Sequence, residues 1–203
     1  MASFQKPPTV SDDYRAVDIY RKAAAIIYEK GFNATSMGDI AEAVDLTKGG
    51  LYYYIKGKKA LLFAIMNFAI DQLEREILAD VREEPDPERR LARLVAGHVR
   101  VVIQDPSAMS ILVNEEENLT AEHAAKIVER KEEYDSLLRE SIRDVLETNG
   151  NPGGLDPEVV TYSLLGMIHW VVRWYSSSKL DQDQVVHQIS HLVLHGILSP
   201  FPA

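Results

Sequence analysis

Apolar residues recur every three or four positions along most of this chain, and proline, glycine and short polar clusters cut the runs. Val17, Tyr20, Ala24, Ile27 and Tyr28 form a first stripe. It opens near Ser11, with Asp12 and Asp13 at the positive end of the helix, and Gly31 closes it as a C-terminal cap. Ala23 and Ala24 allow close approach, and Phe32 returns to the core. Ahead of it, residues 1–11 read as a disordered tail. Met37, Ile40, Ala41 and Val44 form a second, short stripe, with Thr35 or Ser36 able to cap it. Asp45 is the turn residue, since Asp tolerates a left-handed backbone. Leu46 returns to the core, and Thr47 caps a third helix from which Leu51 and Tyr54 face inward.

Lys58 opens a long helix reaching to about Glu84, with Leu61, Leu62, Ile65, Phe68, Leu73 and Ile77 as apolar positions. Pro85-Asp86-Pro87 ends it. The pattern predicts further helices over 91–104, around Met109–Val113, over 120–148 and 157–175, and from Asp181 or Gln182 to before Pro200. Their breaks are Asp105-Pro106, the acidic turn Glu115-Glu116-Glu117-Asn118, the loop 149–154 and Ser176–Ser178. In the 120–148 helix, Ile127, Tyr134, Leu137, Leu138, Ile142 and Val145 lie on the inner side. No alternating run bounded by turns suggests a strand. The expected fold is all-α, with about nine helices. A three-helix helix-turn-helix DNA-binding unit spans 12–59, and a helical effector-binding and dimerisation bundle spans 60–203.

Two short capped helices joined by a tight turn place the second in a DNA major groove. A net charge of −9 argues against a general nucleic-acid binder, but its distribution answers the objection. Residues 1–60 carry nine Lys/Arg against seven Asp/Glu, and residues 61–203 carry thirteen against twenty-four. Lys48, Lys56, Lys58 and Lys59 cluster at the third helix with no acid among them, which suits phosphate contact. Thr47, Lys48, Gly49 and Gly50 stand at the helix end that meets base edges. The two glycines let backbone approach closely. Tyr52 and Tyr53 project toward phosphates or thymine methyls, with core packing an equal alternative for Tyr52. Lys58 faces a phosphate at the next helix start.

Gly31-Phe32, Thr35, Asp39-Ile40-Ala41, Ala43, Leu46-Thr47-Lys48-Gly49, Leu51-Tyr52, Tyr54 and Lys58 resemble the N-terminal signature of the TetR-type (TetR/AcrR) transcriptional regulators. The resemblance runs without a gap from about Ile19 to Leu62. Two positions depart from it: Asp45 replaces the usual turn Gly, and Tyr53 the usual His. The resemblance implies operator contacts by Lys48, Tyr52, Tyr53 and Lys58, with Thr35 touching the DNA backbone. It also implies a homodimer joined by the last two helices and a ligand cavity in the C-terminal bundle.

The run from Met167 to Tyr175 combines His169, Trp170, Arg173 and Trp174 with apolar residues. Trp, Tyr and Arg favour interfaces, so Trp170 and Trp174 read as dimer contacts. His169 and Arg173, four apart, instead border a ligand cavity. The Trp-x-x-Arg-Trp-Tyr ending is similar to that of family members responding to acyl-CoA thioesters, where a cation meets CoA phosphates and an apolar tunnel takes the acyl chain. His98, Val102, Asn114 and Tyr134 are further lining candidates, with a satisfied core histidine the plainer role for His98. His187, His191 and His195 follow each other at i, i+4 and i+8. That spacing can bind a metal, but no acidic cluster completes a site. The face reads as dimer surface, joined by Leu194, and no metal or cofactor is expected.

The absence of cysteine excludes a disulfide framework and fits a reducing cytosol. No apolar run approaches the roughly 20 residues of a membrane helix, and the N-terminus lacks a signal-peptide core. A cytoplasmic protein is expected. The function that follows is a homodimeric repressor released from operator DNA by a small apolar effector, such as an acyl-CoA. The alternatives are control by a protein partner, for which the acidic C-terminal half offers a surface, and an enzyme on a helical bundle. The enzyme would need paired acids and bases, and no Glu-x-x-His pair, phosphate loop or nucleophile motif supplies them.

Overall fold

The computed structural model describes residues 14–81, 83–177 and 179–200. Nine α-helices and no strand occur among them. The expected tail, and a helix start near Ser11, lie outside the described residues.

Helix α1 spans Tyr14–Lys30, α2 Met37–Ala43 and α3 Lys48–Tyr54. Their core is small and dry: Ile19, Ala23, Ala24, Ile27, Ile40 and Leu51 are all fully buried. Burying each large side chain contributes about 1.5–3 kcal/mol. Gly31 ends α1 at φ +84°, as the left-handed cap requires. Tyr28 departs from the expected stripe and is exposed. Ser36 caps α2 reciprocally with Asp39: each backbone N–H donates to the other's side chain. The Ser36 hydroxyl and N–H, with Lys30 adding to them, hold the Asp39 carboxyl well below the usual carboxylate range. Asp45 adopts φ +55°, and the Leu46 N–H donates back to the Ala41 carbonyl at 2.9 Å. The turn is therefore closed without glycine. Thr47 Oγ1 accepts the Gly50 N–H at 3.0 Å and starts α3.

Helix α4 runs Lys58–Val81, three residues short of the expected end. Helix α5, Pro87–Gln104, starts four residues earlier than the apolar pattern predicts. Asp86 accepts the Arg89 N–H and Pro87 takes the first helical position, where its missing donor costs nothing. Helix α6 is Pro106–Asn114, α7 Ala121–Thr148, α8 Pro157–Trp174 and α9 Gln182–Leu198. A 3-10 turn, Tyr175–Ser177, occupies the expected break after α8. In the α7–α8 loop, Asn151 (φ +44°) brackets Leu155, accepting its N–H and donating to its carbonyl.

Helix α5 is the hub, packed against α4, α7, α8 and α9. It crosses α4 closely at Gly97, where a Cβ would stand 2.8 Å from Ile77 Cγ1. Helix α1 lies on both α4 and α6. Arg21 of α1 donates two hydrogen bonds to Asp105 at the start of α6, at 2.6 and 3.0 Å.

The DNA-reading head and the polar centre of the bundle

Helix α3 keeps only Leu51 fully inside. Tyr52 is 45% exposed and Tyr53 86%. Tyr54, expected in the core, is also exposed and meets the Tyr53 ring edge-on at 5.4 Å. A seven-residue helix offers two turns, and here one leucine suffices to hold it. Lys48, Gly49, Lys56 and Lys59 are exposed as well, while Gly50 is partly covered. Nothing lies within 4 Å of a Cβ placed on Gly49, so no contact within the protein demands glycine there.

Two residues expected to contact DNA are engaged within the protein. Thr35 is 2% exposed and its hydroxyl donates to the Gly31 carbonyl at 2.9 Å. Lys58 Nζ donates to the Thr35 carbonyl at 2.7 Å and the Asn33 carbonyl at 3.4 Å, and sits 4.3 Å from the centre of the Phe32 ring. Lys58 thus staples the α1–α2 loop to α4. Sequence reasoning missed this because the acceptors are main-chain groups about 25 residues away.

In the bundle, His98, Val102, Tyr134 and His169 fall to the interior. His98 and Val102 are buried, and Tyr134 and His169 mostly so. Tyr134 Oη lies 2.9 Å from His98 Nδ1. The His169 ring stands 5.2 Å from that of His98. Burial, reinforced by His169, pushes His98 well below the ordinary histidine value. Burial and the Lys131 charge push His169 down to about 4. Burial raises the Tyr134 phenol. All three are neutral near pH 7.

Asn114 and Arg173 do not join them. Asn114 is exposed, and its amide donates to the Ser110 carbonyl at 2.8 Å. Arg173 is exposed on α8, while His169, one turn back, is not. The acidic turn is more than a solvated one: Glu116 holds Lys131 at 2.9 Å. With Val113, Asn114, Leu119 and Ala124 it lines an open pocket of about 580 Å³, so Asn114 does line a cavity, though not the one around His98. An ion cluster that sequence reasoning missed joins α4 to α7. Arg130, 14% exposed, donates to Asn67, Asp71 and Glu74 at 2.7–2.8 Å.

The outer faces of α8 and α9 expose Val159, Tyr162, Trp170 and Leu192, together with His187, His191 and His195. Trp174 is partly buried and meets Tyr175. Leu194 is turned partly into its own core, so Leu192, at 61% exposed, takes the outward place expected of it. No group of three or more metal-binding side chains occurs among the described residues, and no described helix is long and apolar enough to cross a membrane.

A helix-turn-helix that leaves its second helix's polar and aromatic side chains in solvent is shaped to enter a DNA groove. Carried on a helix that continues into a separate bundle, it defines a transcriptional regulator. Residues 19–65 match the family model described as bacterial regulatory proteins, tetR family. Residues 84–197 match the tetracyclin repressor-like C-terminal domain. The chain belongs to the TetR family of DNA-binding transcriptional regulators. It is 27% identical over 203 residues to the HTH-type transcriptional repressor KstR2 of Rhodococcus jostii (strain RHA1), covering 96% of this chain and 98% of that protein. It is 21% identical over 183 residues to the fatty acid metabolism regulator protein of Bacillus subtilis (strain 168), covering 89% and 94%. AibR, whose crystal structure contains isovaleryl coenzyme A and operator DNA, is 32% identical. That match covers 92% of this chain and 100% of AibR, with a TM-score of 0.78.

Proposed function

We propose that this chain represses transcription and is released from its operator by an acyl-CoA thioester. The observation that carries the reading is the similarity to AibR, 32% identical over 92% of this chain, in a structure holding both an acyl-CoA and operator DNA. The similarity to a fatty acid metabolism regulator points the same way.

In this reading residues 12–59 read DNA and residues 60–203 bind effector and dimerise. Lys48, Gly49, Tyr52 and Tyr53 face the DNA, supported by their exposure. Thr47 and Gly50 set the helix end against it. Thr35 and Lys58 act from behind, by fixing the loop and α4. His98, Val102, Tyr134 and His169 line the acyl site, and Arg173, Trp170, His187 and His191 lie toward the partner protomer. The protein works in the cytoplasm and carries no catalytic activity. The effector releases DNA only by binding the non-operator conformation more tightly than the operator-bound one.

The test is native mass spectrometry and operator-binding titration with a panel of acyl-CoA thioesters. One thioester per subunit, with operator affinity falling at least about tenfold, is expected, which corresponds to a coupling of about 1.4 kcal/mol. Tight operator binding that no thioester alters would refute the proposal.

A further inference from the structure

The interior of the bundle holds an unspent hydrogen-bonding group. His98 is 1% exposed, and its Nε2 is buried with no hydrogen-bond partner among the described residues. Leaving such a group unpaired disfavours the folded state by roughly 10- to 100-fold. Its other nitrogen is occupied: Tyr134 Oη lies 2.9 Å from Nδ1. The His169 ring offers an edge-on contact at 5.2 Å, not a hydrogen bond.

The partner decides the tautomer. A phenol O–H is the better donor, and the nitrogen of a neutral imidazole the better acceptor. Tyr134 therefore donates to Nδ1, and the proton of the ring sits on Nε2. The unpaired group is a buried N–H donor, flanked by the neutral Tyr134 and His169 side chains. Its complement is an oxygen acceptor. A carboxylate would need a cation beside it. Lys131, the charge that reaches His169, is already held by Glu116 at 2.9 Å. An uncharged carbonyl fits.

We propose that His98 Nε2–H recognises a carbonyl oxygen on the apolar part of the effector, either the thioester C=O or a keto group further along. Tyr134 is the positioning residue that locks the tautomer. This deepens the acyl-CoA reading and rests on it only for the CoA part of the ligand. A purely hydrocarbon ligand would leave the donor unpaired and bind more weakly than its oxygenated counterpart.

The test uses full-length protein and ligand pairs that differ by one oxygen. The first pair is a saturated acyl-CoA and its thioether analogue, which lacks the C=O. The second adds a keto-acyl-CoA to the saturated one. The third, free of CoA, is a medium-chain ketone and the alkane of equal length. Calorimetry on the native protein should show the carbonyl member of at least one pair binding about 10- to 100-fold tighter. His98→Phe should abolish that difference. His98→Gln, whose amide donor can fall near the Nε2 position, should restore part of it. A native circular dichroism spectrum and a cooperative thermal transition in each variant certify the fold. Tyr134→Phe should narrow the preference for the ketone over the matching alcohol, which loss of packing alone would not do. If no pair shows an oxygen preference, or His98→Phe keeps it, the proposal is overturned while acyl-CoA control can stand. If only the ketone pair binds and shows the preference, acyl-CoA control falls and the role of His98 survives. If nothing binds, both fall.

Discussion

The Arg21–Asp105 pair ties the DNA-reading head to the start of α6, and its two ends are unequally exposed. The Asp105 side chain is 6% exposed and that of Arg21 is 53%. The bidentate geometry, at 2.6 and 3.0 Å, is the strong form of an ion pair, and the Asp105 hydrogen bond raises the Arg21 guanidinium further above its ordinary value. Removing one partner of a buried pair costs about 3–5 kcal/mol, and an exposed pair is worth under about 1. This pair lies between those limits. Arg21→Gln strands a carboxylate that water cannot reach and should cost about 2 kcal/mol. Asp105→Asn strands a guanidinium that water does reach and should cost about 1 kcal/mol. A double-mutant cycle by urea unfolding near neutral pH should return a coupling of about 1–1.5 kcal/mol. Because the pair spans α1 and α6, each variant should also shrink the effector-induced fall in operator affinity, by roughly 5- to 10-fold, as read by fluorescence anisotropy on labelled operator. Coupling below about 0.5 kcal/mol, or a larger cost for Asp105→Asn than for Arg21→Gln, would refute the burial argument.

Three further predictions follow from the same geometry. Gly49→Ala should stabilise the protein by about 0.5–1 kcal/mol, because alanine is the better helix former and nothing crowds the site, yet weaken operator binding about tenfold; unchanged operator affinity would show that DNA does not approach there. Gly97→Ala should destabilise by about 1–3 kcal/mol, since its Cβ would stand 2.8 Å from Ile77 Cγ1, and calorimetry showing an unchanged Tm would sink that claim. His169 has a folded pKa of about 4, below its unfolded value of about 6.5, so the unfolded chain binds more protons between the two. Stability should be full above about pH 6.5 and lower by about 2 kcal/mol near pH 5. His98 acts in the same direction, and His169→Gln should flatten the profile.

Local chemistry was readable without coordinates. The left-handed Asp45 and Gly31, the Thr47 cap and the apolar face of α4 all depend on neighbours within a turn or two, and the structure bears each out. The missed pairings share one cause, which is distance along the chain. Lys58 reaches carbonyls 23 and 25 positions away, Tyr134 meets His98 across 36, and Arg21 meets Asp105 across 84. No spacing rule encodes such pairings. Tyr54 turned outward and Leu194 partly inward for another reason. Each lies on a helix with apolar residues on more than one side, and packing chose the side.

The close crossing at Gly97 also has a mechanical meaning. With no side chain on Gly97, Ile77 seats directly against the α5 backbone, which makes this crossing the natural fulcrum for any tilt of α4. Ile77 lies nineteen positions along α4 from Lys58, an arm of about 28 Å at 1.5 Å per residue. A swing of about 6° at the fulcrum carries the far end through roughly 3 Å. Lys58 is fastened to the Asn33 and Thr35 carbonyls, so the head travels with the arm rather than bending away from it. Two such arms swinging in opposite senses across a two-fold axis would change the separation of the recognition helices by roughly 6 Å. Against the 34–36 Å between successive major grooves, that is enough for one helix to meet its groove while the other meets a phosphate ridge.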